Sequence, residues 1–287
     1  MEIKKIIEKG IDIIGEREYA NPALESVLVL SKILNVDKSY IYTYPEKELE
    51  DDICQEFFDI IERRATGYPL QYLLGEKEFY GLKLHVEEGV LIPRPETELL
   101  VDFIINKIKK EYTNKRLKIL DIGVGSGAIS ISVAKYCPNS QVYGVDIEKK
   151  PIKVANINKE KFGLENVKFF QGDLFEPIEK MYPELKFDII ISNPPYIRSP
   201  DIRALQTEVK KHEPRVALDG GQDGLDYYRK IIPRARKHLK KNGILIFEIG
   251  FDQGEEIKKL LSENSFRDIS VINDLEDNNR IALGFLS

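Results

Sequence analysis

Asn193-Pro194-Pro195-Tyr196 is the stretch of this chain whose residue types best suit one task, holding a planar nitrogen that bears two hydrogens. The Asn193 side-chain oxygen can accept one N–H, and the Pro194 carbonyl can accept the other. The two prolines fix φ, so both acceptors are in place before a substrate arrives. Tyr196 offers an aromatic face on which a flat amide or base can lie. Taken alone, Asn-Pro-Pro also suits a plain turn that ends a strand. Its position argues for more. Phe187-Asp188-Ile189-Ile190-Ile191-Ser192 reads as a buried parallel strand, and open α/β sheets bind ligands at the carboxyl ends of such strands.

A second cluster suits the other reactant. Lys118-Ile119-Leu120-Asp121-Ile122 predicts a strand running into Gly123-Val124-Gly125-Ser126-Gly127, with small and apolar residues at helical spacing beyond it. Glycines allow a tight turn and close approach of a ligand to the backbone. The spacing is G-x-G-x-G, one residue short of the dinucleotide pattern, and no Lys-Ser/Thr ending marks a phosphate loop. A methionine-type sulfonium nucleoside has no phosphate and fits such a turn. Asp121, Asp146 and Asp173 end three successive predicted strands. Asp146 can accept from both hydroxyls of a ribose. Asp173 could accept from an adenine amine, with Leu174 over the ring face. Each acid alone is as readily a helix cap or a solvated loop residue. Three of them beside the tetrapeptide form a pattern.

These residues resemble a class I methyltransferase using S-adenosyl-L-methionine. More narrowly, the chain resembles the PrmC/HemK family, the N(5)-glutamine methyltransferases of peptide chain release factors. Gly67-Tyr68-Pro69-Leu70-Gln71-Tyr72 with Gly75 and Phe79-Tyr80-Gly81 is similar to the segment before that family's catalytic domain. Leu91-Ile92-Pro93-Arg94-Pro95-Glu96-Thr97-Glu98 is similar to its interdomain signature. Glu213-Pro214, Ala217-Leu218 and Gly220-Gly221-Gln222-Asp223-Gly224-Leu225 match its loop after the catalytic motif. Phe247-Glu248-Ile249-Gly250 with Gln253-Gly254 matches its next strand and helix start. The matches keep the family's order from about residue 60 to about residue 285. One position departs: residue 174, often aromatic in relatives, is Leu174.

The resemblance implies a seven-stranded, mostly parallel Rossmann-like sheet with a small N-terminal helical bundle and a bridging β-hairpin. It implies S-adenosyl-L-methionine bound by Asp121, Gly123, Val124, Gly125, Ser126, Gly127, Asp146, Ile147, Asp173, Leu174 and Asn193. Catalysis and substrate binding fall to Asn193, Pro194, Pro195 and Tyr196. Arg94, between two prolines, is a further substrate or cofactor contact, or else the partner of Glu96 or Glu98. Glu213 and Glu248 read as braces for the loop over the substrate, and Gly220-Gly221 as a mobile turn suited to a flap. The implied substrate is the glutamine of the Gly-Gly-Gln loop of a release factor. Rival readings are an exocyclic amine of DNA or RNA, a ribosomal-protein glutamine, or a scaffold that keeps the pocket without catalysis.

Other elements must position these residues. Isoleucines from Ile3 to Ile14, then Leu24 to Ile33, then Ile53 to Ile61 give three apolar helical stripes, with Asn21-Pro22 as a cap and first turn. Leu70 to Val90 reads as a hairpin. Leu99 to Ile108 reads as a helix leading into the glycine-turn strand. From Leu117 onward strands and helices alternate, which predicts a parallel sheet wrapped by helices, and Ile269–Ile272 and Ile281–Phe285 supply two last strands. The expected domains are a helical substrate-docking bundle over 1–68, the hairpin over 69–92 and the methyltransferase domain over 93–287.

Bulk properties bound the function loosely. The 287 residues are 42% hydrophobic and 32% charged, with net charge −5, which leans against a partner bound chiefly through phosphates. Cys54 and Cys137 match no metal spacing, and His85, His212 and His238 form no ligand cluster. No metal is expected. No run reaches membrane-spanning length and no signal-peptide core follows Met1, so the expected location is cytoplasmic.

Overall fold

The computed structural model describes residues 1–16, 20–113 and 115–287. By contacts the chain forms two compact units. One comprises Met1–Glu76 together with Gln206–His212, the other Lys77–Leu205 with Glu213–Ser287.

The first unit is helical: α1 (Ile3–Ile14), α2 (Pro22–Leu34), α3 (Lys38–Thr43), α4 (Asp51–Ala65) and α5 (Leu70–Leu74). Asn21 caps α2, its side chain accepting from the Leu24 amide at 3.0 Å with Pro22 at the first helical position. Ile3, Ile6, Val27, Leu30, Phe57 and Ile61 meet in one small apolar core. The short α5 stands where the expected hairpin was to begin. Pro69 precedes it and Gly75, at φ 69°, closes it in the left-handed region, so one helical turn fits before the chain extends.

The second unit begins with a two-stranded hairpin, β1 (Glu76–Phe79, whose first residue belongs to the helical unit) and β2 (Leu82–His85). There follow α6 (Thr97–Glu111), β3 (Lys118–Ile122), α7 (Ala128–Tyr136), β4 (Gln141–Asp146), α8 (Lys149–Lys161), β5 (Val167–Gln171), α9 (Glu176–Met181) and β6 (Phe187–Ser192). After α10 (Thr207–His212), which packs with the helical unit, come α11 (Asp226–His238), β7 (Leu239–Glu248), α12 (Gly254–Glu263), β8 (Phe266–Asn273) and β9 (Asn279–Leu286). Seven strands form one sheet in the order β5-β4-β3-β6-β7-β9-β8. The pairs from β5 through β7 are parallel, and β9 runs antiparallel to both β7 and β8.

Alternation along the central strands buries both faces. Ile119, Ile189, Ile191, Ile244 and Ile246 pack on the face covered by α6 and α7. Leu120, Ile190, Leu245 and Phe247 pack on the other, under α11 and α12. Reversal of strand order beside β3 leaves a crevice at the carboxyl ends of β3, β4 and β6, where a ligand can enter.

Candidate active site

The glycine turn leaves β3 by a sharp bend. Gly123, Gly125 and Gly127 all lie in the left-handed region, at φ 82°, 57° and 87°, so this spacing is set by backbone need. Two side chains fix the turn. Asp146, at the end of β4, accepts the Gly125 amide at 2.9 Å and the Glu148 amide at 3.0 Å. Asn158 on α8 is fully buried and donates to the Ser126 carbonyl at 2.9 Å, while also pairing with the backbone of His85. Asp121 sits beneath the turn, where Ser130 donates to its Oδ2 at 2.6 Å. Burial pushes the Asp121 carboxyl up to about 7, against the opposing Ser130 hydrogen bond. Burial also raises Asp146, with the Gly125 and Glu148 amides working the other way.

A recess opens beside the turn. Of the residues singled out in the sequence, Gly123, Asp146, Ile147, Leu174, Pro194 and Pro195 line it. Val124, Gly125, Ser126, Gly127 and Asp121 belong to the turn and its support, and Asp173 lies off the lining. The lining carries one carboxylate and no lysine or arginine. That donor set disfavours a phosphate and suits a cationic sulfonium nucleoside with ribose hydroxyls to place. Leu174, 9% exposed, keeps the wall apolar. Tyr227, at the start of α11, supplies an aromatic ring to the lining that motif reading missed. Its only sequence signal is its place directly after the glycine-rich loop.

Asn193-Pro194-Pro195-Tyr196 projects from the end of β6, with Ser192 tied back to the Ile122 carbonyl on β3 at 2.7 Å. The expected flap is closely packed against it. The Ile197 amide donates to Leu218, the Gly220 amide to Ile197, and the Ser199 amide to Gly221. Gln253 at the start of α12 donates from Nε2 to the carbonyls of Tyr196 and Gly224, both at 3.2 Å, while its oxygen accepts the Gly250 amide. The glycines of that loop serve close approach: a Cβ at Gly224 would lie 2.4 Å from the Tyr196 carbonyl oxygen. Arg94 pairs with Glu213 at 2.7 Å, with neither Glu96 nor Glu98 as its ion-pair partner. Two partners of the tetrapeptide were not foreseen in these roles. The Asn193 Nδ2 donates to the Thr97 hydroxyl at 3.1 Å, and the Tyr196 hydroxyl donates to Glu248 Oε1 at 3.4 Å.

The comparisons with known proteins decide between the readings left open by geometry. Residues 5–75 match the PrmC N-terminal domain and residues 113–215 a methyltransferase domain. A release factor glutamine methyltransferase from Clostridium acetobutylicum is 39% identical over 285 residues, covering 99% of this chain and 98% of that protein. One from Thermodesulfovibrio yellowstonii is 37% identical, covering 96% and 97%. The chain belongs to the release factor glutamine methyltransferase family. Its use of S-adenosyl-L-methionine follows from that membership and matches a recess lined without lysine or arginine. A family member from Bacillus cereus reaches 42% identity over 82% of each chain. Solved structures show the fold alone. A Pyrococcus furiosus methyltransferase superposes with TM-score 0.51 at 19% identity, covering 72% of this chain and 89% of that one. The T. thermophilus 16S rRNA N2 methyltransferase RsmC, in complex with AdoMet and guanosine, gives 0.53 at 18%, covering 74% and 50%.

Proposed function

We infer that this chain methylates the side-chain amide nitrogen of the glutamine in the Gly-Gly-Gln loop of a peptide chain release factor, at the site formed by Asn193-Pro194-Pro195-Tyr196. The observation that carries the reading is the Asn193 carboxamide, anchored through its nitrogen by Thr97, beside a largely apolar recess with one carboxylate, Asp146, in a chain that aligns end to end with release factor glutamine methyltransferases. S-adenosyl-L-methionine supplies the electrophilic methyl when bound. The glycine turn, Asp146, Ile147 and Leu174 would hold it, with Asp121 and Asp173 in support. Release factors act in translation, and the enzyme is assigned to the cytoplasm; no helix among the described residues is long and apolar enough to cross a membrane.

An amide nitrogen is a poor nucleophile because its lone pair is delocalised into the carbonyl. Asn193 Oδ1 and the Pro194 carbonyl accept its two hydrogens and fix its direction of attack. Positioning of this kind can account for several kcal/mol of barrier when reacting atoms are held at about 3–3.5 Å. Acceptors best aligned with a pyramidal nitrogen favour the transition state over the ground state. The nitrogen becomes acidic as it is alkylated, so no dedicated base is required.

Transfer of labelled methyl to purified release factor tests the reading, beside a loop Gln→Ala variant and duplex DNA. Label is expected on the intact release factor alone. Label on DNA, or equal label on both protein forms, would reject the substrate. Asn193→Ala is expected to abolish transfer while cofactor affinity by calorimetry stays within a few-fold; a collapse of binding would move Asn193 into the nucleoside pocket.

A further inference from the structure

We propose that Thr97 and Glu248 are positioning residues that fix which way the Asn193 carboxamide points, presenting its oxygen rather than its NH₂ to the substrate. The inference rests on Asn193 acting as acceptor in the proposed reaction, and it concerns how that orientation is enforced.

A free asparagine side chain can turn over, exchanging an acceptor for a donor. Presented NH₂-first, Asn193 would meet a substrate amide nitrogen donor to donor. Three elements prevent this. Phe247 on β7 is the register partner of Ser192 on β6, so Glu248 and Asn193 are the next residues along two adjacent parallel strands. Alternation puts Glu248 on the same face as Ile244 and Ile246, the face covered by α6. Thr97 opens α6 on the stripe that carries Leu100, Val101, Ile104 and Ile108 inward. Thr97 is 4% exposed and Glu248 is 0% exposed. Thr97 and Glu248 are therefore shut off from water, and the half-buried Asn193 side chain meets Thr97 at the edge of that buried place.

The direction of the chain of donors follows from the inventory of groups. Glu248 carries no hydrogen to give when ionised, so it can only accept. Its Oε1 accepts from the Tyr196 hydroxyl at 3.4 Å, and the Thr97 side chain interacts with the same carboxyl. Oε2 has no hydrogen-bond partner among the described residues. That unmet acceptor draws the Thr97 hydroxyl hydrogen toward the carboxyl and leaves the Thr97 oxygen to accept. The Asn193 NH₂ fills that role at 3.1 Å. With its nitrogen committed inward, the Asn193 oxygen faces outward. Turned the other way, Asn193 would compete with Glu248 for the one Thr97 hydrogen and leave a buried carboxylate further unsatisfied.

Other charged groups bear on Glu248. Burial is the chief influence and pushes its carboxyl up to about 7, Thr97 and Arg280 on β9 oppose the rise, and Glu96 adds to it. Tyr228 reaches only the Glu248 main-chain oxygen. Protonation below about pH 7 would put a donor where the array needs an acceptor, loosening the Thr97 hold on Asn193.

The direct test reads the orientation in the enzyme without a substrate. With ¹⁵N-labelled asparagine side chains, the Asn193 NH₂ pair, identified by its loss in Asn193→Ala, is expected to be protected from solvent exchange. Thr97→Val, which keeps the shape and removes the acceptor, is expected to speed that exchange at least tenfold, and Thr97→Ser to restore protection. Unchanged protection in Thr97→Val would overturn the proposal. Loss in Thr97→Ser as well, with the fold intact, would also overturn it, because packing and not the hydroxyl would then hold the carboxamide. On the reaction, Thr97→Val is expected to lower kcat/KM for release factor ten- to a hundredfold, rescued by Thr97→Ser, with cofactor affinity unchanged. The rise of kcat through about pH 7 in the parent enzyme is expected to flatten in Glu248→Gln. An equally steep rise in Glu248→Gln would remove Glu248 from the array. A parent enzyme that labels no release factor would count against the proposed substrate, whereas the exchange readout depends on no substrate at all.

Discussion

Burial beneath the glycine turn disfavours the charged form of the Asp121 carboxyl and pushes it up to about 7, with the Ser130 hydroxyl and main-chain amide in opposition. Its ordinary value is 3.8, so the folded state binds more protons than the unfolded chain between about pH 4 and about pH 7. Stability contributed by this residue is therefore highest below that window and falls as pH rises through it. Asp121→Asn removes the titration and keeps an oxygen to accept from Ser130. The urea midpoint of the variant, relative to the parent, is expected to climb from pH 4 to pH 7 and then level off. A difference independent of pH would show that Asp121 is ionised in the fold throughout.

At the scale of elements, the site depends on the loop from Leu218 to Leu225 being laid tightly on the tetrapeptide. Gly224 marks the closest approach, at φ 77° and with the Tyr196 carbonyl 2.4 Å from where a Cβ would sit. Gly224→Ala must displace the Tyr196 backbone, two residues beyond the proposed Pro194 acceptor. It is expected to cost about 1–3 kcal/mol of stability, the range for a strained backbone position, and to lower kcat while leaving cofactor affinity nearly unchanged. Gly125→Ala is a useful contrast: at φ 57° with nothing within 4 Å of the added Cβ, it is expected to cost about 1–2 kcal/mol from its left-handed backbone alone. Chemical denaturation and initial rates on both variants separate strain from displacement.

For the molecule as a whole, the chain does not divide at one point. Gln206–His212 leaves the sheet-bearing unit in sequence and packs with the helical unit. Within that helical unit, Arg64 is 2% exposed and joins Glu25 at 2.7 Å to Glu208 on α10 at 2.6 Å. Removing one member of a buried ion cluster leaves charge uncompensated, at a cost of about 3–5 kcal/mol. Arg64→Met is therefore expected to release α10, read as faster hydrogen exchange over residues 206–212, with the midpoint of unfolding lowered. Unaltered exchange there would show that apolar contacts alone hold the segment, Tyr68 against His212 among them.

Apolar periodicity in the chain settled the alternating α/β architecture, because one-face and two-face burial write different spacings, and Asn21-Pro22 marked a helix start through local capping chemistry. The tetrapeptide, the glycine turn and the strand-end acids were legible for the same reason: their φ requirements and hydrogen-bonding groups are properties of neighbouring residues. Partnerships across the sheet were not. Thr97 looks like an ordinary helix-opening residue, Gln253 like a surface amide, and Asn158 like one polar position in a charged helix. Each acquires its partner only when strand order and register bring residues from about 30 to 100 positions away within reach, a property of distance in space that local sequence does not encode. Arg94 shows the same limit. Neighbours Glu96 and Glu98 were the partners that sequence proximity suggested, and the fold delivered Glu213 instead.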